Sequence, residues 1–108
     1  RHYRTGEALP VDMINRLRAS KTLFAGMETR TQLLYASLDQ KLFGPQPEDG
    51  GVLSSTSAAN SLRRSITGIE NPEGSLWHSR FGHFTGYGAG YYAYLYAKMF
   101  TSAIWQRY

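Results

Sequence analysis

One face of a predicted helix ends at a dense cluster of helix-breaking residues, and this transition limits the possible folds most strongly. Apolar residues recur at steps of three or four positions, or multiples of these steps, up to the break. Such spacing places them on one helix face. The next eight residues, 44–51, read GPQPEDGG and include two Pro and three Gly, so the helix has to end there. The apolar positions are Phe24, Met27, Leu34, Leu38 and Leu42.

The same spacing argument predicts further helices and no strands. Helical positions cover about 10–21, 25–42, 54–65 and 89–106. Pro10 suits a first helical turn, where its missing N–H costs nothing. No segment alternates apolar and polar residues as half-buried strands do. We therefore predict an all-α fold of one domain or less, because 108 residues suffice for one modest core.

Charge and composition exclude several classes of protein. The formal net charge of +4 arises from 12 Lys and Arg against 8 Asp and Glu. Only Arg63 and Arg64 are adjacent, so we do not expect a nucleic-acid partner. The chain has no Cys, which excludes disulfides and thiolate metal sites. No apolar run reaches the length of a membrane span, so we expect no membrane-spanning segment.

A Gly-rich loop at residues 82–90 precedes the last predicted helix. The stretch 81–94 reads FGHFTGYGAGYYAY and combines one His with four Gly and four Tyr. On a continuous helix, Tyr87, Tyr91 and Tyr94 would lie on one face. A row of phenols beside an imidazole could donate hydrogen bonds to an oxyanion. Aromatic residues at this spacing more often pack a helix contact, however, and spacing alone favours packing.

No metal site is predicted within the chain. His2, His78 and His83 lack the four-residue helical step of zinc-binding pairs, and no His-Glu-x-x-His motif occurs. The stretch 86–90, GYGAG, does not fit a dinucleotide loop, because its third Gly is misplaced and no strand precedes it. No Ser has a His and an acid arranged around it for nucleophilic catalysis.

Three stretches resemble the C-terminal part of the thimet oligopeptidase and mitochondrial intermediate peptidase family of zinc metallopeptidases. They are HYRTGEALP at 2–10, AGMETRTQLLYASLDQKLFG at 25–44 and TGIENPEGSLWHSRFGHFTGYGAGYYAYL at 67–95. The form GYGAGYY is nearer to the intermediate-peptidase branch than to the thimet branch. Since the resemblance covers nearly the whole chain, it implies that residues 1–108 are the C-terminal part of a single helical catalytic domain.

The resemblance implies a helical, clam-like peptidase of the mitochondrial matrix, with a deep channel for unfolded peptides. In that family a His-Glu-x-x-His motif and a downstream Glu hold zinc, and the C-terminal loop faces it across the cleft. Loop side chains would bind the substrate backbone or stabilise the tetrahedral intermediate, and the glycines would let the loop close. The implied catalytic residues are Tyr94, Tyr91 and His83. The implied substrate-binding residues are His83, Tyr87, Tyr91, Tyr94, Gly86 and Gly88.

The chain departs from the family pattern because it contains neither the zinc motif nor the third ligand. Zinc in the completed enzyme would come from a second polypeptide carrying the His-Glu-x-x-His helix, or from a missing N-terminal part. The first residue, Arg1, agrees with a fragment. The alternative is a non-catalytic structural subunit of a larger mitochondrial assembly. The retained loop side chains favour substrate binding, since a purely structural descendant need not keep polar donors.

Overall fold

The computed structural model describes residues 1–46 and 51–108, and this part of the chain consists of helices joined by loops. No strand occurs within it, so the all-α prediction is confirmed. Of the predicted breaker loop 44–51, residues 47–50 lie outside the described residues. The elements are α1 Val11–Thr22, α2 Ala25–Phe43, α3 Ser55–Thr67, a 3₁₀ turn Trp77–Arg80, α4 His83–Gly86 and α5 Tyr92–Trp105.

The start of α5 differs most from the spacing-based prediction. The predicted helix starts at residue 89, whereas α5 begins at Tyr92. Ala89 has a φ of 63°, which is the left-handed region that a right-handed helix excludes. The predicted loop 82–90 also contains the single turn of α4. Apolar spacing therefore located the helix but did not reveal the backbone turn in front of it.

Pro10 precedes α1 instead of forming its first residue. Its ψ of 139° is extended, and the helix begins at Val11. The Pro10 carbonyl still accepts the first hydrogen bonds of the helix, from the N–H groups of Met13 and Ile14. Pro10 thus stands in the N-cap position, which leaves its missing N–H without consequence.

Both ends of α3 carry capping groups. The hydroxyl oxygen of Ser54 accepts a hydrogen bond from the backbone N–H of Ser57 at 3.3 Å, which satisfies one free donor of the first turn. Gly68 ends the helix with a φ of 72°, and its N–H donates to the Arg64 carbonyl. A left-handed residue in this position favours Gly, because other residues meet a Cβ clash.

The core lies where α2 packs against α3. Leu38 of α2 is fully buried against Ala58 and Ala59 of α3. Two small residues in succession allow the helix backbones to approach each other and enclose the leucine side chain. Partly buried apolar side chains from five segments surround this contact: Leu42, Leu53, Leu62, Trp77 and Phe84.

Large apolar surfaces remain exposed outside this core. Neither α1 nor α5 contains a buried residue, and Trp105 near the end of α5 is 78% exposed. The described residues extend over 66 × 34 × 25 Å, so helices project from the α2–α3 contact instead of closing around it. No described helix combines the length and the apolar character needed to cross a membrane.

Replacing Leu38 with Ala should destabilise the fold strongly. The substitution leaves a cavity at the centre of the α2–α3 contact, and such changes typically cost about 2–5 kcal/mol. Leu33→Ala is the matched control, because Leu33 lies on the same helix but is 45% exposed. Urea unfolding followed by far-ultraviolet circular dichroism measures both free energies. Equal losses in the two variants would contradict the position assigned to the core.

Candidate functional site

A buried carboxylate of α2 binds the turn between the Gly-rich loop and α5. Asp39 is fully buried, and its Oδ1 accepts the backbone N–H of Ala89 at 3.0 Å. Its Oδ2 accepts the backbone N–H of Tyr91 at 2.9 Å. A carboxylate removed from water has to receive hydrogen bonds, and free N–H groups before a helix are well suited to give them. Asp39 therefore joins α2 to the start of α5.

Gln40 reinforces the same turn from the neighbouring position. Its Nε2 donates to the carbonyl oxygen of Ala89 at 2.9 Å. Together with Asp39, it engages both the N–H and the carbonyl of one residue, Ala89. A left-handed backbone at a residue other than Gly costs of order 1–3 kcal/mol and persists only where its surroundings determine it. These two side chains supply that determination.

Tyr91 is held at its hydroxyl as well as at its backbone. The phenol O–H donates to Oε1 of Gln32 on α2 at 2.9 Å, and the residue is only 8% exposed. Burial raises the pKa of the Tyr91 phenol above its ordinary value, and the neighbouring phenols of Tyr35 and Tyr94 add to the increase. The hydrogen bond to Gln32 acts in the opposite direction. Tyr91 is therefore a neutral, anchored phenol near neutral pH.

The four side chains implied by the resemblance lie together around His83. Ring centroids of Tyr91, Tyr87 and Tyr94 lie 4.8, 5.5 and 6.0 Å from the imidazole centroid. Tyr87 and Tyr94 are 73% and 59% exposed, in contrast to Tyr91. Nε2 of His83 is buried and has no hydrogen-bond partner among the described residues. The cluster thus has one anchored phenol, two accessible phenols and one imidazole nitrogen that lacks a partner.

The spacing argument places the three tyrosines on one face of a continuous helix, but they do not lie on a single helix. Tyr87 follows α4, and Tyr91 is the cap residue before α5. The three tyrosines are brought together because the chain turns sharply between residues 87 and 91, and the N–H of Gly90 donates to the Tyr87 carbonyl within this turn. The tyrosines therefore meet because of this turn and not because of helical spacing.

The two glycines assigned to substrate binding have different surroundings. Gly86 ends α4, and a Cβ added there would meet no atom within 4 Å. A Cβ added at Gly88 would lie 2.9 Å from ring carbons of Phe43 at the end of α2. The absence of a side chain at Gly88 therefore lets the loop lie close against α2. Contact with a substrate remains a prediction for both residues.

Aromatic rings pack against the cluster on the side of Tyr91. Tyr35 stacks on Phe81 with ring centroids 4.5 Å apart, and Phe81 contacts Phe84 edge to face at 4.7 Å. Tyr91 contacts both Tyr35 and Phe81, at 5.5 and 5.3 Å. Contacts of this kind contribute beyond the area that they bury. Packing and polar presentation therefore coexist here, with Tyr91 as the residue that belongs to both.

Sequence reasoning missed the three α2 side chains that hold the loop. The spacing and motif arguments assign no role to Gln32, Asp39 or Gln40. One signal was present in the sequence. Asp39 follows Tyr35 by four residues and Leu38 by one, so it lies beside the apolar residues of α2. A carboxylate in that position has to be neutralised or bound by donors from elsewhere in the fold.

The described residues do not offer a zinc site. No group of three or more His, Cys, Asp or Glu side chains converges within 1–46 and 51–108. His78, the buried histidine of the 3₁₀ turn, has its Nε2 3.3 Å from the Ser55 hydroxyl. It contacts Trp77 through its ring and has no carboxylate partner among the bonds of this part of the chain. These donors do not fit the ligand set that the resemblance implies for zinc.

Comparisons with known proteins identify relatives over nearly the whole chain. The family model described as "Peptidase family M3" matches residues 1–108. A mitochondrial intermediate peptidase of Arabidopsis thaliana is 47% identical over 106 residues, which cover 98% of this chain and 15% of the relative. The human mitochondrial intermediate peptidase is 36% identical over 106 residues, covering 98% and 14%. The recognition made from the three sequence stretches is confirmed.

These matches cover a small part of each relative. The chain spans only 15% and 14% of the length of the two relatives. Both names contain the word "mitochondrial", as does that of a Neurospora crassa relative at 35% identity, which confirms the expected localisation. No solved structure is a significant match.

Raising the pH should weaken the fold through Tyr91. The unfolded phenol ionises near pH 10, whereas the folded phenol has a raised pKa and keeps its proton to higher pH. Its contribution is fully present below the unfolded pKa and is lost as pH rises through the folded pKa. Urea unfolding at a series of pH values around and above about 10 measures this decline.

Phenylalanine variants separate Tyr91 from the other phenols. In Tyr91→Phe, the free energy of unfolding should fall less steeply at alkaline pH, because no phenol ionises at this position. The variant also loses the hydrogen bond to Gln32. Tyr96→Phe is the matched control, because Tyr96 is exposed on α5. An unchanged alkaline slope in Tyr91→Phe would contradict the anchored phenol.

Proposed function

Because the chain belongs to peptidase family M3, we propose that it forms the substrate-binding C-terminal portion of a zinc metalloendopeptidase that cleaves peptides or presequences. The observation that carries this proposal is the cluster around His83, in which exposed phenols lie beside an anchored one. Purely structural tyrosines gain by burying their rings. Exposed phenols beside a turn that α2 side chains bind are instead suited to donate hydrogen bonds to a ligand.

The geometry suggests different roles for the tyrosines. Tyr94 has an accessible ring, and we assign to its hydroxyl the hydrogen bond to the oxygen of the attacked peptide carbonyl, which gains negative charge during hydrolysis. The O–H of Tyr91 already donates a hydrogen bond to Gln32. Tyr91 therefore acts by orienting the site and by offering its phenol oxygen as an acceptor. Tyr87, stacked on His83, forms the outer edge of the site for the substrate backbone.

His83 completes the site through its unpartnered nitrogen. A buried polar atom without a hydrogen bond is costly, so movement of the exposed Tyr87 ring that opened Nε2 to a substrate group would relieve that cost on binding. The ring is held between Tyr87 and Tyr91, which fixes its direction. We therefore assign His83 to binding the peptide backbone or the developing tetrahedral intermediate.

Zinc and the activation of water belong, in this proposal, to another part of the enzyme. The donors of the described residues do not form a ligand set. The His-Glu-x-x-His helix then lies either in the same polypeptide outside this sequence or in a second polypeptide. A zinc ion supplies a Lewis acid for peptide hydrolysis when bound. The segment contributes the groups that bind and orient the peptide.

A second candidate is a non-catalytic structural subunit of a mitochondrial assembly derived from such a peptidase. The observation that favours it is the exposed apolar surface of α1 and α5, which include Leu17, Met99 and Trp105. In a structural subunit these residues would contact neighbouring chains, and the tyrosine cluster would have no chemical task. The two candidates differ in whether Tyr94 affects turnover.

A chimeric peptidase tests the role of Tyr94. Residues 1–108 replace the matching segment of the Arabidopsis thaliana relative, and cleavage of an internally quenched peptide is followed by fluorescence. Tyr94→Phe should lower turnover by roughly 10²–10³-fold, as the loss of one oxyanion donor does. Tyr96→Phe removes an exposed phenol of the same helix and should leave turnover unchanged.

Two outcomes would count against this function. A Tyr94→Phe chimera that turns over as fast as Tyr96→Phe would remove the assigned role of Tyr94. A chimera that folds and holds zinc but cleaves nothing would support the structural subunit.

Zinc removal provides a second test of where the metal is held. Treating the active chimera with a chelator should abolish cleavage, and added zinc should restore it. Metal analysis of the isolated segment 1–108 should find no stoichiometric zinc, because the described residues supply no ligand group. Stoichiometric zinc in the isolated segment would show that the metal is held here and would overturn this division of the enzyme.

A further inference from the structure

We propose that Asp39 is a positioning residue of the peptidase reaction, because its carboxylate fixes the turn that sets where Tyr94 presents its hydroxyl. This inference rests on the function proposed for Tyr94. Asp39 does not line the cluster itself, and its place on the apolar side of α2 indicates a bound carboxylate without assigning it to the site. Its two oxygens instead bind N–H groups on either side of Gly90, at Ala89 and Tyr91.

A continuous series of hydrogen bonds links Asp39 to Tyr94. The carboxylate accepts the N–H of Tyr91, and the carbonyl of Tyr91 accepts the N–H of Tyr94 at 3.2 Å. The rings of Tyr91 and Tyr94 also lie 5.0 Å apart. A shift of the turn would therefore move Tyr94 through both its backbone and its ring contact.

A carboxylate suits this position better than an amide. Both backbone groups that face Asp39 are donors, and an ionised carboxylate accepts at both of its oxygens. Asn in the same place would turn an NH₂ group toward one of these donors and leave a buried N–H unpaired. The negative charge also lies at the N-terminal end of α5, where the helix dipole favours it.

The effect on catalysis should appear mainly in kcat. Tyr94 is assigned to the charge that develops during reaction, so a displaced Tyr94 weakens binding of the transition state more than binding of the substrate. Misplacement of a reacting or assisting group by about 1 Å can cost 10²-fold. In the chimeric peptidase, Asp39→Asn should therefore lower kcat by about 10- to 100-fold with a smaller change in KM.

A double-mutant cycle separates positioning from a general loss of structure. If Asp39 acts through Tyr94, then adding Asp39→Asn to the Tyr94→Phe chimera should lower kcat little further, because the positioned hydroxyl is already absent. A merely structural role would lower activity by the same factor in both backgrounds. Activities are expressed per folded enzyme, measured by circular dichroism.

Hydrogen exchange reports the turn directly. The amides of Ala89 and Tyr91 should exchange faster in Asp39→Asn, while amides of the α2–α3 core keep their protection. Asp12→Asn is the matched control: Asp12 is an exposed residue of α1 that pairs with Arg16 and should change neither exchange in the turn nor kcat.

A second variant keeps the test valid if Asp39→Asn does not fold. Gln40→Met removes the donor to the Ala89 carbonyl at an exposed position, so the core is unaffected. Gln40→Met should also speed exchange of the Ala89 and Tyr91 amides and lower kcat, but by a smaller factor than Asp39→Asn. In the Tyr94→Phe background this factor should become smaller still.

The outcomes distinguish this proposal from the one on which it rests. Normal turnover of Tyr94→Phe overturns the function assigned to Tyr94, and the positioning role with it. Slow turnover of Tyr94→Phe with normal turnover of folded Asp39→Asn overturns the positioning role alone. Equal factors for Asp39→Asn in both backgrounds overturn it as well. A reduced factor in the Tyr94→Phe background supports it.

Discussion

The contact between the Asp39 carboxylate and the N–H groups of Ala89 and Tyr91 organises the functional part of this structure. It places a charge in a fully buried position, which is tolerable only because backbone donors meet both oxygens. The left-handed conformation of Ala89, the start of α5 and the packing of Gly88 against Phe43 all depend on the loop approaching α2 at this point. The tyrosine cluster follows from that approach.

The tyrosines of the cluster differ in how firmly their contacts hold them, and Tyr91 is held more firmly than Tyr87 and Tyr94. Tyr91 is bound at its N–H and at its hydroxyl, and Phe81 and Tyr35 support its ring. Tyr94 and Tyr87 contact the imidazole of His83 but expose most of their own surface. A rigid base that carries accessible donors satisfies what preorganised catalysis requires, because the donors are oriented before the substrate arrives.

Sequence alone predicted the elements more accurately than their connections. The spacing from Met27 to Leu42 is a property of one helix, and α2 follows it, whereas Phe24 lies before α2 with a φ of 65°. The turn at Ala89 was missed because it depends on a side chain fifty residues earlier in the chain, and local patterns contain no such information. The His and Tyr residues of the site came from an ordered motif, whereas the partners of Asp39 and Gln32 are recognised only from the structure.

The contrast between the loop and the outer helices indicates how this segment serves a larger enzyme. The side-chain hydrogen bonds that hold the turn come from α2, within the segment, so in the proposed peptidase this wall of the cleft would be built locally. The apolar side chains of α1 and of the later turns of α5 are exposed and lie outside the cluster, whereas Tyr94 in the first turn of α5 belongs to it. Tyr94 and the exposed end of α5 belong to one helix, so a contact that moved α5 would also move Tyr94. Contacts made by α1 could change without moving the cluster, because α1 contributes no residue to it.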